Sequence, residues 1–345
     1  MSTTPATSSQ EADWKQRPEG GGRFALWIIR TIARRGGRGI ARACLYPIVA
    51  YFLTMRGPER RASRAYLTRV LGRPAGLPAI ARHIHTFAAT ILDRVFLLGE
   101  RLARFDVKVQ GLDDLHAQVD QGGVLLFGSH LGSFEVMRVL ARERPDIRVR
   151  VVLDKAHNPA MTQLLDALNP EVAATVIDAG QDGPTVVLAV QQAVAEGAVV
   201  ALLVDRTQPG EASFPVTFLG EPARMPTAPW LIAAVLQAPV MLAFGLYRGG
   251  NRYDMVFEPF SGPITVARQH RVPVLAGMAQ RYAERLEHHA RRAPYNWFNF
   301  YDFWHTPTPQ DGARADDPPQ VRTQDGQPPR AGGDGLHGGS VGRAA

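Results

Sequence analysis

Cysteine is nearly absent: Cys44 is the only one in 345 residues. An internal disulfide is excluded, and the usage fits a reducing compartment. Long apolar runs are missing too. The two greasiest stretches, "FALWIIRTIARR" from Phe24 and "IARACLYPIVAYFLTM" from Ile40, are interrupted by Arg30 in the first and by Arg42 and Pro47 in the second. Neither reaches the roughly 20 apolar residues of a spanning helix. The first 22 residues lack an apolar core, so no secretory signal is expected. Acid is scarce near the start. Between Arg23 and Arg69 eleven arginines stand against one acid, Glu59. After Thr306 large apolar residues almost vanish, and such a segment cannot bury enough surface to order itself.

What is present sorts into four stretches. Residues 1–22 and 306–345 are expected to be disordered. Residues 23–104 are expected to be helical, basic and membrane-associating. Their mixture of aromatic, aliphatic and arginine side chains suits a helix lying in a lipid interface better than one exposed to nucleic acid. Charge alone does not separate the two, but no nucleic-acid recognition motif accompanies it. Peripheral attachment to an anionic membrane surface is the preferred reading. Phe87, Ile91, Val95 and Leu98 fall on one face of a helix. From residue 105 to 305, short apolar strands alternate with amphipathic helices. That order predicts an α/β fold with a mostly parallel sheet flanked by helices. The strands on either side of Gly249-Gly250-Asn251 are expected to pair antiparallel.

The chemistry concentrates at "VLLFGSHLGSFEVM", residues 124–137. A buried strand runs into a tight bend and then a helix. Small residues flank His130 in "GSHLG", a layout like a nucleophile elbow with histidine in place of serine. An imidazole exposed there suits proton transfer. Glu135 is its expected partner, provided that it lies in the first helical turn and the chain folds back. Ser133 reads as an N-cap and, like Ser129, not as a nucleophile. Asp205-Arg206 and Asp154-Lys155 each end a strand, where sites in parallel sheets lie. Asp93-Arg94 reads as an ion pair on a packing face, and His288-His289 as a solvated helix face. Asn296, Trp297, Asn299 and Trp304 form an aromatic, amide-rich strip, either an acyl-channel wall or a clamp on the core.

His130-Leu-Gly-Ser-Phe-Glu135 matches the H-x4-[D/E] motif of glycerolipid-type acyltransferases. The chain resembles, more narrowly, the lauroyl and myristoyl acyltransferases of lipid A biosynthesis. The likeness runs over about residues 24–305. It includes "LLFGSHLGSFE", "ALLVDR", "FLGEPARMPTAPWLIA", "APVMLAFGLYR" and "APYNWFNFYDFW" in that order. The ending also resembles relatives from aryl-polyene pathways. The resemblance implies fatty acyl transfer from an acyl-carrier-protein or coenzyme A thioester to a hydroxyl of a lipid acceptor. It implies the cytoplasmic face of the inner membrane as the place of work. His130 would be general base and Glu135 its orienting partner. Asp205, Arg206, Arg224, Lys155, Ser129 and Gly132 would meet substrate. No covalent acyl-enzyme, metal or cofactor is implied. One departure stands out: Lys155 is the only basic residue between Arg150 and Arg206 other than histidine, where the lipid A enzymes carry an arginine or lysine.

Overall fold

Val124, Leu125, Leu126 and Phe127 have no exposed surface, and this decides where their strand lies. A strand apolar on both faces must sit mid-sheet with layers above and below it. The computed structural model describes residues 37–98, 102–138, 144, 146–156, 158–168, 170–208 and 210–304. Expectations for residues 1–36 and 305–345 fall outside these. The strands are β1 (Asp106–Gln110), β2 (Val124–Gly128), β3 (Val149–Leu153), β4 (Ile177–Asp178), β5 (Val199–Leu203), β6 (Ser213–Phe218), β7 (Glu221–Pro226), β8 (Val240–Gly249) and β9 (Arg252–Ser261). Seven of them form one sheet in the order β1-β9-β8-β2-β5-β3-β4, with β2 at its centre. Every pairing in it is parallel except β8 with β9, which turn at Gly249-Gly250-Asn251 as expected. β6 and β7 make a separate antiparallel hairpin.

The pleat of β2 separates two apolar layers. Leu125 and Phe127 join Val200, Leu242 and Phe244 on one face. Val124 and Leu126 join Val199, Met241 and Ala243 on the other. Each fully buried side chain of this size contributes about 1.5–3 kcal/mol. The helices are α1 (Gly37–Ala43), α2 (Leu45–Met55), α3 (Gly57–Leu71), α4 (Leu77–Leu97), α5 (Leu112–Gln121), α6 (Pro159–Leu168), α7 (Pro170–Ala174), α8 (Gly183–Ala195), α9 (Ala228–Leu236) and α10 (Arg271–Arg292). The first layer is covered by α3, α9 and α10 through Tyr66, Trp230 and Tyr282. The second is covered by α1, α2 and α5 through Ala41, Leu45 and Leu115. α4 reaches both, with Ile84 in the first and Leu92 in the second.

α1 and α2 break at Cys44, and Pro47 lies in the first turn of α2, where a missing N–H costs nothing. Among the described residues no helix is long and apolar enough to cross a membrane. α1 is fastened to the sheet by a buried carboxylate. Asp93 of α4 accepts from Arg38 Nε at 2.7 Å, from Arg38 Nη2 at 2.8 Å and from Tyr253 at 2.9 Å. Asp93 therefore does not pair with Arg94 as expected. Adjacent residues on a helix do not face each other.

Candidate active site

β2 delivers the bend. Beyond Gly128 the chain crosses the carboxyl edge of the sheet, the side on which ligands of such folds bind. Gly132 has φ +80°, and an added Cβ would lie 2.0 Å from the Gly245 carbonyl oxygen. The bend is thus pressed against β8, and Ser133 N–H donates to that same carbonyl at 2.7 Å. The other side is closed by residues 296–298. Gly132 N–H donates to Asn296 O at 2.8 Å, and Phe298 N–H donates to His130 O at 2.9 Å. The first residues of the helix expected over 134–143 form a 3-10 helix, Phe134–Arg138, and the rest of that stretch lies outside the described residues.

His130 is held by Asp205 and not by Glu135. The Asp205 Oδ1 lies 2.7 Å from His130 Nδ1, while Oδ2 accepts from the His130 backbone N–H at 3.0 Å. Oδ2 also accepts from the Trp297 indole N–H at 2.9 Å. The reason is topological. β5 pairs with β2 in parallel register, Gly128 opposite Leu203, so the residues just past the two strand ends meet. Glu135 is occupied elsewhere. It accepts from the Ser133 hydroxyl at 2.8 Å and forms an ion pair with Arg94 at 2.8 Å. Ser133 therefore spends its hydroxyl on Glu135 instead of capping the helix. Asp205 has no exposed surface, so it meets His130 and not substrate.

Burial lowers the His130 pKa below its ordinary 6.5, and the charges of Arg206 and Arg94 add to this against the opposing pull of Asp205. The ring is thereby kept neutral near pH 7. For Asp205, burial alone would raise the pKa, but His130, Arg206 and Trp297 outweigh it and hold the carboxyl at about 2. A permanently ionised carboxylate on Nδ1 leaves Nε2 as the nitrogen able to accept a proton.

His130 opens onto a cavity of about 1660 Å³. That exceeds the roughly 300–1,000 Å³ of ordinary small-molecule pockets. Its apolar lining comes from α2, α4, β3, α6, β5 and α9, and includes Phe87, Ile91, Val95 and Leu98, the face read from helical spacing. Ser129, Gly132, Arg94, Glu135 and Arg206 also line it. Arg206 donates to Phe298 O at 2.5 Å and lies over the Tyr301 ring.

Other expectations need correction. Arg224 is bound to Ser213, through Nε to the hydroxyl at 2.7 Å and through Nη2 to the carbonyl at 3.0 Å. It ties the β6–β7 hairpin and is not among the residues lining the cavity. Lys155 lies against a separate small pocket beside Thr162 and Asp166. His289 is buried, bonded to Glu258 at 2.8 Å and stacked on Phe244, while His288 beside it is exposed. Trp297 is fully buried and acts as the clamp, whereas Phe298, Phe300 and Tyr301 wall the cavity. Arg94 is the residue that sequence reasoning missed. Its position one helical turn past Ile91 on the face with Phe87, Ile91 and Val95 was the available signal.

A search of curated proteins finds no match. The family model described as bacterial lipid A biosynthesis acyltransferase matches residues 24–306, most of the chain. The bend, the sheet edge and the cavity all fall within that span, and the protein belongs to the bacterial lipid A biosynthesis acyltransferase family.

Proposed function

We propose that the protein is a membrane-associated O-acyltransferase. It moves a fatty acyl group from an acyl-carrier-protein or coenzyme A thioester to a hydroxyl of a lipid or glycolipid acceptor. His130 Nε2 takes the hydroxyl proton as the acceptor oxygen attacks the thioester carbonyl. The tetrahedral oxyanion then collapses, the C–S bond breaks, and the imidazolium returns the proton to the departing thiolate. An ester and a free thiol result. Asp205 fixes the ring and stabilises the imidazolium. Arg206 and Arg94, on the cavity wall, offer charge to an acceptor phosphate or to the oxyanion. The observation that carries this reading is the 2.7 Å contact between His130 and a fully buried Asp205 at the wall of a large apolar cavity.

Placement at the cytoplasmic face of the inner membrane is part of the same proposal. Ile40, Tyr46, Tyr51 and Met55 of α1 and α2 are more than half exposed. Leu45, Ile48 and Phe52 of the same segment line the cavity. An element apolar on both sides and flanked by arginines supports interfacial docking with the cavity open to lipid.

His130→Ala tests the catalytic reading. Transfer of a lauroyl group from acyl-carrier protein to a lipid A precursor, followed by mass spectrometry, is expected to disappear while the thermal unfolding curve is kept. Turnover at the wild-type rate would overturn it. Sedimentation with anionic vesicles tests docking, and failure to bind them would remove the membrane part.

A further inference from the structure

The buried strip 296–298 does more than close the fold. Trp297 has no exposed surface. Its ring meets Tyr66, Phe218 and Phe303 edge-on with centroids 4.9–5.1 Å away. Those contacts fix the ring plane. Its backbone is fixed separately. Leu131 and Trp297 bridge as antiparallel strand residues. On the far side, His83 Nε2 donates to the Trp297 carbonyl at 2.9 Å, and the Ser63 hydroxyl meets His83 Nδ1 at 2.8 Å. His83 is wholly buried, and burial pulls its pKa down to about 4. It is therefore neutral, with one nitrogen to donate and one to accept, as this geometry requires. Arg206 holds the next carbonyl, Phe298 O. A tryptophan so constrained presents its one polar atom to one acceptor, Asp205 Oδ2.

We infer that Trp297 is a positioning residue for acyl transfer: its indole N–H pins Asp205 Oδ2, so that Oδ1 is turned to the His130 ring. The inference rests on the reading of His130 as base and Asp205 as its partner. A carboxylate with only the His130 backbone N–H on Oδ2 can swing about its Cβ–Cγ bond, and the ring then swings with it. The indole N–H also shares the carboxylate charge. Without it, Asp205 pulls harder on the imidazolium, and His130 titrates at higher pH.

Two variants of the full chain remove the N–H. Trp297→Phe is the simple one. Replacement of Trp297 by 3-benzothienylalanine, which puts sulfur where the N–H stands, keeps ring size and covers the case in which the first fails to fold. Trp230→Phe is the control, since that indole is equally buried but packs on Phe127, Phe260 and Tyr282. Loss of one hydrogen bond to a charged group predicts about a tenfold fall in kcat with KM unchanged. The acid limb of kcat/KM and the NMR titration of His130 both move to higher pH in the two Trp297 variants and stay in place in Trp230→Phe. A benzothienylalanine protein with wild-type kcat and an unmoved His130 titration, beside an inactive His130→Ala, overturns the inference alone. Full turnover by His130→Ala overturns it together with the base reading.

Discussion

Asp205→Asn changes one atom and reverses the chemistry of its neighbour. Asp205 Oδ2 accepts two N–H groups, from the His130 backbone and from Trp297. An amide nitrogen cannot replace an oxygen facing two donors, so the Asn oxygen must take that place. The amide NH2 is then forced toward His130 Nδ1, at the 2.7 Å contact. A donor there turns Nδ1 into an acceptor and drives the ring proton to Nε2. The nitrogen that should accept the acceptor's proton is thereby blocked. The imidazolium also loses its counter-charge. A wrong-tautomer histidine of this kind costs about 10³- to 10⁴-fold in kcat, or about 4–5.5 kcal/mol in barrier. KM is expected to hold, since Asp205 is buried beneath the ring. The assay is lauroyl transfer to a lipid A precursor, with circular dichroism to confirm the fold. An Asp205→Asn enzyme within about threefold of wild type, beside an inactive Glu135→Gln, would show that the H-x4-E spacing and not the strand-end aspartate governs the base.

Three further outcomes follow from the same geometry. Glu135→Gln loosens Arg94 and is expected to lower activity by about tenfold, well short of the Asp205 loss, because one charge-assisted contact is removed; steady-state kinetics of the two variants side by side decides it. Gly132→Ala drives a Cβ onto the Gly245 carbonyl at a left-handed φ and is expected to destabilise by about 3 kcal/mol or more, read as a fall in urea midpoint; an unchanged midpoint would contradict the tight bend. His83 titrates at about 4 folded against 6.5 unfolded, so the unfolded chain binds more protons between these values. Its contribution is fully present above pH 6.5 and declines as pH falls, by about 2 kcal/mol from pH 7.5 to 5. Urea stability measured at both pH values should show that loss in the wild type and lack it in His83→Gln.

The layers of the fold were legible because they follow from local pattern. All-apolar β2, alternating helices and the Gly249-Gly250 turn each declare their own geometry within a few residues. The bend was legible too, since glycines on either side of a histidine have few other uses. The partner of His130 was not. Glu135 is near in sequence, and spacing rewards nearness, but the chain that follows is a 3-10 turn that aims Glu135 at Arg94. Asp205 lies 75 residues away, and only the parallel pairing of β2 with β5 brings it in. Asp205 was recognised as a strand-end residue, yet its complete burial, which separates positioning from substrate contact, is a property of packing. Asp93 and Arg94 fail for the same reason: adjacency suggested a pair, while the helix sends one to α1 and the sheet and the other to the cavity.

The central claim is that His130 is held as a neutral base by Asp205. ¹⁵N NMR of histidine-labelled protein reads it directly through the two ring nitrogens. The account predicts protonated Nδ1 and bare Nε2 at pH 7.5, with a titration midpoint below 6.5. A His130 ring carrying its proton on Nε2, or a midpoint above 6.5, would contradict it.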